Sequence, residues 1–469
     1  MKILSGIRYN NLILFILLTL CIFFAINFPI NATSLYKSNY TVLLISLIFC
    51  SILLSTKLMD KNLFIFDPFL FSSFLFFCVF LIQPMIDIIK NTVVAYYDLQ
   101  DPSYGCQRGT LIFVVSYIVF YIGYFFRKSP NRTSHLYSPI TKIDKTNIAF
   151  FSFILWIVFT LFCVIFFIAN GYSIIYIFTL GQLGHAQVNE IFARMGFLWK
   201  FSTSMIVCFM YYLTCGRSRL VKLIMFAITL TILILNGGRA ILLILLAAPI
   251  VYYYTKRAKN IPMRYIAIAL ALFLLISATV QAARWGLRSG GEVQVETQWN
   301  MDTILYPMRS NFGVYKMYYF VVATVPEKTN YLWGKETILY TLVMFIPRVI
   351  WPDKPDAPFR DVLRYAAGDH AVMQGEAFPG LTEFYMDFGI VGCMFFSFLL
   401  GWLVSKLKNL YLHSRTDTHG LILFSVLYPF LFQVIIRGYI PSLFYTLVCI
   451  FLPYIVLKVT LTVFRNRII

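Results

Sequence analysis

Charge is scarce in this chain, and acid is scarcest. Only 20 of 469 residues are Asp or Glu, and charged residues make up 13% of the whole, about half of what a soluble protein carries. That excludes an ordinary water-soluble domain. Cysteine patterning is missing as well. Most of the nine cysteines fall in apolar runs, among them Cys21, Cys50, Cys78, Cys163 and Cys449, and only Cys106 clearly falls in an external loop. No CxxC and no Cys/His metal spacing occurs, so neither a disulfide framework nor a zinc site is indicated. There is no P-loop, no Ser/His/Asp arrangement and no DxD pair for a divalent metal. Asp98 and Asp101, in YYDLQDP, are a weak substitute. No internal repeat is visible.

Apolar sequence fills the space that charge leaves. Hydrophobic residues make up 60% and aromatics 18%. Runs near the roughly 20 residues that cross a bilayer recur throughout. The reading is an all-α, polytopic integral membrane protein. Spans are expected at about 11–30, 40–56, 65–86, 109–126, 147–169, 196–214, 222–236, 240–255, 265–281, 387–405, 421–436 and 442–458. The first run follows Lys2 and Arg8 without a small-residue cleavage site, so it reads as an uncleaved helix. The organisation is helices 1–9 over residues 1–281, a large external loop over 282–386, and helices 10–12 over 387–469.

Orientation follows from the basic residues. Lys2, Arg8, Lys57, Lys61, Arg127, Lys128, Lys142, Arg217, Lys222, Lys256, Arg257, Lys406, Lys408 and Arg465 all fall on one side, which the positive-inside rule makes the cytoplasm. Both termini then lie there. Of the acids, only Asp60, Asp67, Asp144 and Asp417 share that side. The net charge of +19 therefore reflects topology, and nucleic-acid binding is not indicated.

The external loop is roughly 100 residues, far longer than a usual connection. Its two apolar stretches, 312–325 and 337–347, are short for spans and read as re-entrant or interfacial helices. If both crossed, the count of about 12 would become 14. From the end of the second stretch, over Phe345–Gly389, runs a charged island, FIPRVIWPDKPDAPFRDVLRYAAGDHAVMQGEAFPGLTEFYMDFG. Charge is costly near lipid, so an island of this length points to chemistry at the membrane boundary.

Arginines gather at the same boundary. Asn236-Gly237-Gly238-Arg239 joins two spans of about 15 residues, roughly 22 Å each against about 30 Å of hydrocarbon. Arg437-Gly438-Tyr439-Ile440-Pro441 repeats the arrangement. Arg284 and Arg288 share a helical face if the span before them continues, and Arg348 ends the 337–347 stretch. Guanidinium grips phosphate oxygens as a fork and stays charged, so the set reads as a diphosphate clamp, with snorkelling to headgroups as the plainer alternative. His370, Glu376 and Glu383 are acid/base candidates. Glu383 and Asp387 precede a span and read equally as its caps. Trp285, Trp299, Trp333 and Trp351 suit either sugar stacking or interfacial anchoring.

At this point the residues carry a resemblance. Pro347-Arg348-Val349-Ile350-Trp351-Pro352-Asp353-Lys354-Pro355 resembles the PR-x-x-W-P-x-K-P signature of the Wzy-type oligosaccharide repeat-unit polymerases, the O-antigen and capsule polymerases. Pro379-Gly380-Leu381-Thr382-Glu383-Phe384-Tyr385-Met386-Asp387-Phe388-Gly389 is similar to that family's P-G-x-x-x-E-x-Y-x-x-F-G pattern. Asn236-Gly237-Gly238-Arg239-Ala240 resembles its small-residue-plus-Arg turn. An Arg-x10-Gly spacing, met by Arg364 and Gly375, is common enough by chance to weigh little.

The resemblance implies a GT-C-like glycosyltransferase that uses neither a metal nor a nucleotide-sugar cofactor. Donor and acceptor are glycans on undecaprenyl diphosphate, joined at the periplasmic face of the bacterial inner membrane. Arg239, Arg348 and Arg437 are the first candidates to stabilise the departing diphosphate, with Glu376 or His370 as base. Arg284, Arg288, Glu383, Trp351, Lys354 and Arg364 are substrate-binding candidates. A chain-length-regulating co-polymerase is an implied partner. The rivals are an O-antigen ligase and a non-enzymatic flippase. A flippase should show paired halves, which are not seen. A polyprenyl-phosphate-sugar transferase wants an acidic pair in its first external loop, and residues 31–39 have none.

Overall fold

The computed structural model describes residues 34–58, 66–90, 102–126, 142–169, 198–235, 239–257, 311–348, 350–374, 377–413 and 417–468. Every regular element among them is helical. In chain order they are α1 (Ser34–Leu58), α2 (Pro68–Ile89), α3 (Pro102–Phe125), α4 (Lys142–Ala169), α5 (Ser202–Cys215), α6 (Arg219–Leu235) and α7 (Arg239–Arg257). The chain continues with α8 (Tyr315–Thr324), a wide π-helical turn (Lys335–Tyr340) running into α9 (Thr341–Met344), α10 (Phe359–Gln374), α11 (Gly380–His413), α12 (Thr418–Ile436) and α13 (Ile440–Ile468).

Seven helices among the described residues are long and apolar enough to cross a membrane: α1 to α4 and α11 to α13. They coincide with seven of the expected spans. The expected spans at 196–214, 222–236 and 240–255 are also helical, as α5, α6 and α7, but shorter or less apolar. The spans expected at 11–30 and 265–281 lie outside the described residues. Several boundaries differ: α1, α11 and α13 run beyond the expected 40–56, 387–405 and 442–458. The span expected at 109–126 begins at Pro102, because Pro suits the first helical turn, where its missing N–H costs nothing.

Two apolar cores form. One gathers α1, α2, α3, α8, α10 and α11. The other gathers α4 to α7 with α13. Helix α12 contributes to both, which explains why it is the most deeply buried of the long helices. Lipid tails are as apolar as leucine, so helix pairing rests on close packing rather than on escape from water. The α3–α11 pair shows it: a Cβ at Gly123 would lie 2.3 Å from the Phe398 carbonyl oxygen, and one at Gly401 2.1 Å from that of Phe120. Stacked rings fill the rest, such as Phe69 on Phe120 at 5.3 Å and Phe80 on Phe113 at 4.7 Å.

Buried charge is used sparingly, and the acids at the two ends of α2 each meet a lysine. Asp67 caps α2 by accepting from the Phe69 amide at 2.9 Å, and its other oxygen meets Lys408 of α11 at 2.9 Å. At the far end of α2, Asp87 accepts from Gln83 at 2.9 Å and from the Tyr315 hydroxyl at 2.7 Å, with Lys316 at 3.4 Å. This polar node ties α8 into the bundle. Helix α8 covers ten residues, about 15 Å, too short to cross about 30 Å of hydrocarbon. Tyr315, Tyr318 and Val321 are fully buried, so this first apolar stretch of the long loop is packed on the bundle.

Helix α11 is continuous only by label. Gly389 adopts φ 61° and ψ −143° inside it, which splits a short leading segment from the long apolar one. The leading segment carries Glu383 and Asp387. Helix α10 breaks in the same way at Gly368.

Candidate active site at the Arg437 turn

The site is built from four segments that the sequence separates widely. The tightest join lies between the Arg437–Tyr439 turn and the start of α11. The Gly438 amide donates to the Phe378 carbonyl at 2.9 Å. A Cβ on Gly438 would fall 2.0 Å from both the Cα and the N of Gly380. Only glycine permits two backbones to approach this closely. The Pro379-Gly380 pair and the Arg437-Gly438 pair, read separately in the sequence, are therefore two sides of one contact.

Acidic side chains then tie the segments together, each holding the start of another element. Glu383 Oε2 accepts from the Ile440 amide at 2.6 Å and so caps α13. Asp387 Oδ2 accepts from the Thr337 amide at 2.8 Å and its hydroxyl at 2.5 Å, while Oδ1 takes the Glu336 amide at 3.4 Å. Glu336 Oε2 accepts from the Phe359 amide at 2.8 Å and so caps α10. Carboxylates are favoured at such N-termini, where unpaired N–H groups converge. Glu383 and Asp387 thus do cap helical starts, but not that of their own span: both are fully buried within α11 and reach across to other elements. Linear sequence places a cap only next to its own helix.

The arginine-rich signature forms a compact knot beside this centre. Arg348 donates from Nη1 to the carbonyls of Pro352 at 3.3 Å and Lys354 at 2.7 Å, and from Nη2 to Asp356 at 2.9 Å. Asp356 also pairs with Arg360 at 3.2 Å. Lys354 turns inward: its ammonium donates to the carbonyls of Met344 at 3.3 Å and Ile346 at 3.1 Å, and it lies 5.8 Å from the centre of the Tyr340 ring. Burial, then the nearby Arg348 charge, pulls the Lys354 ammonium below its ordinary range. The PR-x-x-W-P-x-K-P residues thus close their own loop with two cations set on backbone carbonyls.

Arg437 is half-buried and donates to Asn311 at 2.7 Å. Beside it, Tyr439 packs edge-on against Phe359 at 5.2 Å. On the other side of the turn, Lys200 donates to Ser442 at 3.0 Å, in the first turn of α13. The π-helical turn and α9 bury Glu336, Thr337 and Thr341 while leaving Ile338, Leu339 and Leu342 exposed. An apolar outer face over a charged inner one suits the lipid boundary.

The remaining sequence candidates distribute as follows. Arg364 is exposed and pairs with Asp361 at 3.2 Å. Trp351 is partly exposed on the knot, and Trp333 is 72% exposed with Tyr331 5.8 Å away. Arg239 is the first residue of α7 and His370 lies in α10, but the side chains of both lie outside the described residues. So do Glu376, Arg284 and Arg288 entirely. Sequence reasoning missed Glu336, Arg360, Tyr340, Tyr439, Asn311 and Lys200. One signal was there: Glu336 is an acid immediately before the apolar stretch 337–347, where an unpaired charge is costly if it is buried.

A family model described as O-antigen polysaccharide polymerase Wzy matches residues 11–467. No curated protein and no solved structure matches the chain.

Proposed function

The chain belongs to the O-antigen polysaccharide polymerase Wzy family, and from that premise we propose that it joins oligosaccharide repeat units carried on undecaprenyl diphosphate at the periplasmic face of the inner membrane. The observation that carries the reading is the join of the Arg437 turn to the Pro379–Asp387 segment. It sets a cationic turn against the family-like acidic segment at one end of the bundle. A guanidinium there suits the charge that develops on a departing diphosphate.

In this reading Arg437 and Arg239, each at the tip of a hairpin, grip the diphosphate, and Arg348 shapes the loop that carries Lys354, Asp356 and Arg360. The growing glycan is transferred from its lipid to a hydroxyl at the non-reducing end of the incoming unit. The bond from C1 to the diphosphate oxygen breaks, and the lipid diphosphate leaves with the electron pair. Arg284, Arg288, Glu383, Trp351, Lys354 and Arg364 remain candidates for holding substrate, and His370 and Glu376 for moving a proton.

A deletion strain complemented with variants tests the proposal. Deletion should trap single lipid-linked repeats on the outer face and leave lipopolysaccharide with at most one repeat, and the wild-type gene should restore the ladder. R437A with R239A should not. Single repeats trapped inside indicate a flippase, and long lipid-linked polymer a ligase. Full ladders from a well-expressed double variant defeat the diphosphate clamp.

A further inference from the structure

The segment that leads from α8 to the π-helical turn is a strap laid across α3 and α11. The Val325 carbonyl accepts from the Tyr385 hydroxyl of α11 at 3.0 Å. Glu327 meets Arg108 of α3 at 3.6 Å. Tyr331 packs edge-on against the Tyr385 ring at 6.3 Å, and its hydroxyl covers the break in α11, where a Cβ on Gly389 would lie 2.9 Å from it. A helix that breaks leaves its last carbonyls without partners. Two of these are taken by the strap: the amides of Leu332 and Trp333 donate to the carbonyls of Met386 and Asp387, both at 3.0 Å.

Trp333 stands out on this strap. It is held at φ 53°, the only positive φ outside glycine among the described residues, a conformation that the Cβ of an L-residue disfavours. Packing does not compensate, because the side chain is 72% exposed and its one ring neighbour is Tyr331, edge-on at 5.8 Å. Glycine would meet the same turn without strain, as Gly334 does next to it at φ 82°. Strain of this kind is held at ligand clamps. Anchoring in the membrane interface needs no fixed ring, and exposed Ile338, Leu339 and Leu342 already offer an apolar face for lipid.

The groups around Trp333 indicate what it holds. Tyr104 is exposed on α3, and Arg108, one turn further on, donates to its hydroxyl at 3.0 Å and faces exposed Glu327. One cation and one anion leave this patch without net charge, so it does not suit a phosphate. Ring faces suit the C–H face of a sugar, and guanidinium and carboxylate suit its hydroxyls. Asp387 lies four residues past Glu383, about 6 Å along the helix, and Glu383 holds the start of α13 beside Arg437. A glycan whose diphosphate lies at the Arg437 turn therefore reaches Trp333 along the leading segment of α11.

We propose that Trp333 and Tyr331 form a stacking platform for a sugar ring of the lipid-linked glycan, with Arg108 and Glu327 hydrogen-bonding sugar hydroxyls. This rests on the polymerase reading above. The platform touches sugar away from the bond that forms, so it sets affinity for the repeat rather than the rate of bond making.

The test uses full-length protein in proteoliposomes, with initial elongation measured against the concentration of lipid-linked single repeats. W333A should raise KM about five- to tenfold and keep kcat within about threefold. W333F should recover most of the affinity and W333L should not, because the platform needs a flat ring rather than apolar bulk. W333G relieves the backbone, so its melting temperature should be no lower than that of wild type while its KM rises as in W333A. A wild-type KM in W333A, a W333L that matches W333F, or a W333G that melts below wild type overturns the platform. Brominated lipid tests the interfacial alternative: W333F should leave the lipid-quenched part of the tryptophan fluorescence unchanged, and its loss overturns the proposal. Each of these results leaves the polymerase reading standing. A wild-type protein that elongates nothing overturns that reading and this inference with it.

Discussion

Gly438→Ala is the sharpest perturbation of the site, because it adds one methyl group and no charge. The new Cβ would fall 2.0 Å from the Cα and N of Gly380 and 2.5 Å from the Pro379 carbonyl carbon. Carbon atoms rest at about 3.5–4.0 Å, so turn and helix must part by roughly 1.5–2 Å. All three neighbours are backbone, and none can rotate away. The displacement stretches the Gly438–Phe378 bond of 2.9 Å and the Glu383–Ile440 bond of 2.6 Å past useful length. Overpacking costs about 1–3 kcal/mol, and a buried carboxylate losing its donor adds about 1–3 kcal/mol. Function should suffer more than stability, since a misplacement of about 1 Å can cost about 100-fold in rate, and Arg437 rides on the displaced turn. The assay is the rate of repeat addition in proteoliposomes, with melting temperature in detergent measured alongside. G438A should elongate at about 1% of the wild-type rate while remaining folded. A wild-type rate from G438A would refute the argument, because it would mean that the turn does not lie on Gly380.

Two further perturbations test other parts of the structure. D67N keeps an oxygen to cap α2 but leaves Lys408 buried opposite a neutral partner, which should cost about 3–5 kcal/mol. Adding K408M should recover most of it, and equal thermal stability of D67N and wild type in detergent would show that the pair is not coupled. R348K replaces a fork with a single ammonium that cannot serve Pro352, Lys354 and Asp356 together. The loop over 348–356 should then be cut faster by protease under native conditions, and an unchanged cleavage rate would remove Arg348 from its proposed role in shaping the loop.

Much of the fold was legible because bilayer crossing is a local property. A run of roughly 20 apolar residues declares itself without reference to the rest of the chain, and seven expected spans reappear as long apolar helices. The two short stretches of the long loop were also legible by length, as helix α8 and as the π-helical turn with α9. Their different fates were not. Helix α8 became core because Tyr315 finds Asp87 and Lys316 pairs with it, partners more than two hundred positions away. The site candidates divide in the same way. Arg437 and Glu383 were singled out by residue type and position, and the structure brings the turn after Arg437 onto Glu383. Glu336 stayed hidden because nothing in its own neighbourhood of sequence reveals that Asp387 and Phe359 will meet it.

Sequence by itself settled the solvent, the helical class and the family, since each rests on composition, run length or short motifs. Tertiary structure alone decided which backbones touch and which acids are buried. Gly380 and Gly438 are 58 positions apart in the chain and yet meet with no room for a methyl group. Glu336 and Glu383 become one buried centre only when the loop folds back on the turn before α13. Close packing and desolvation depend on three-dimensional neighbours, and no window of sequence contains them.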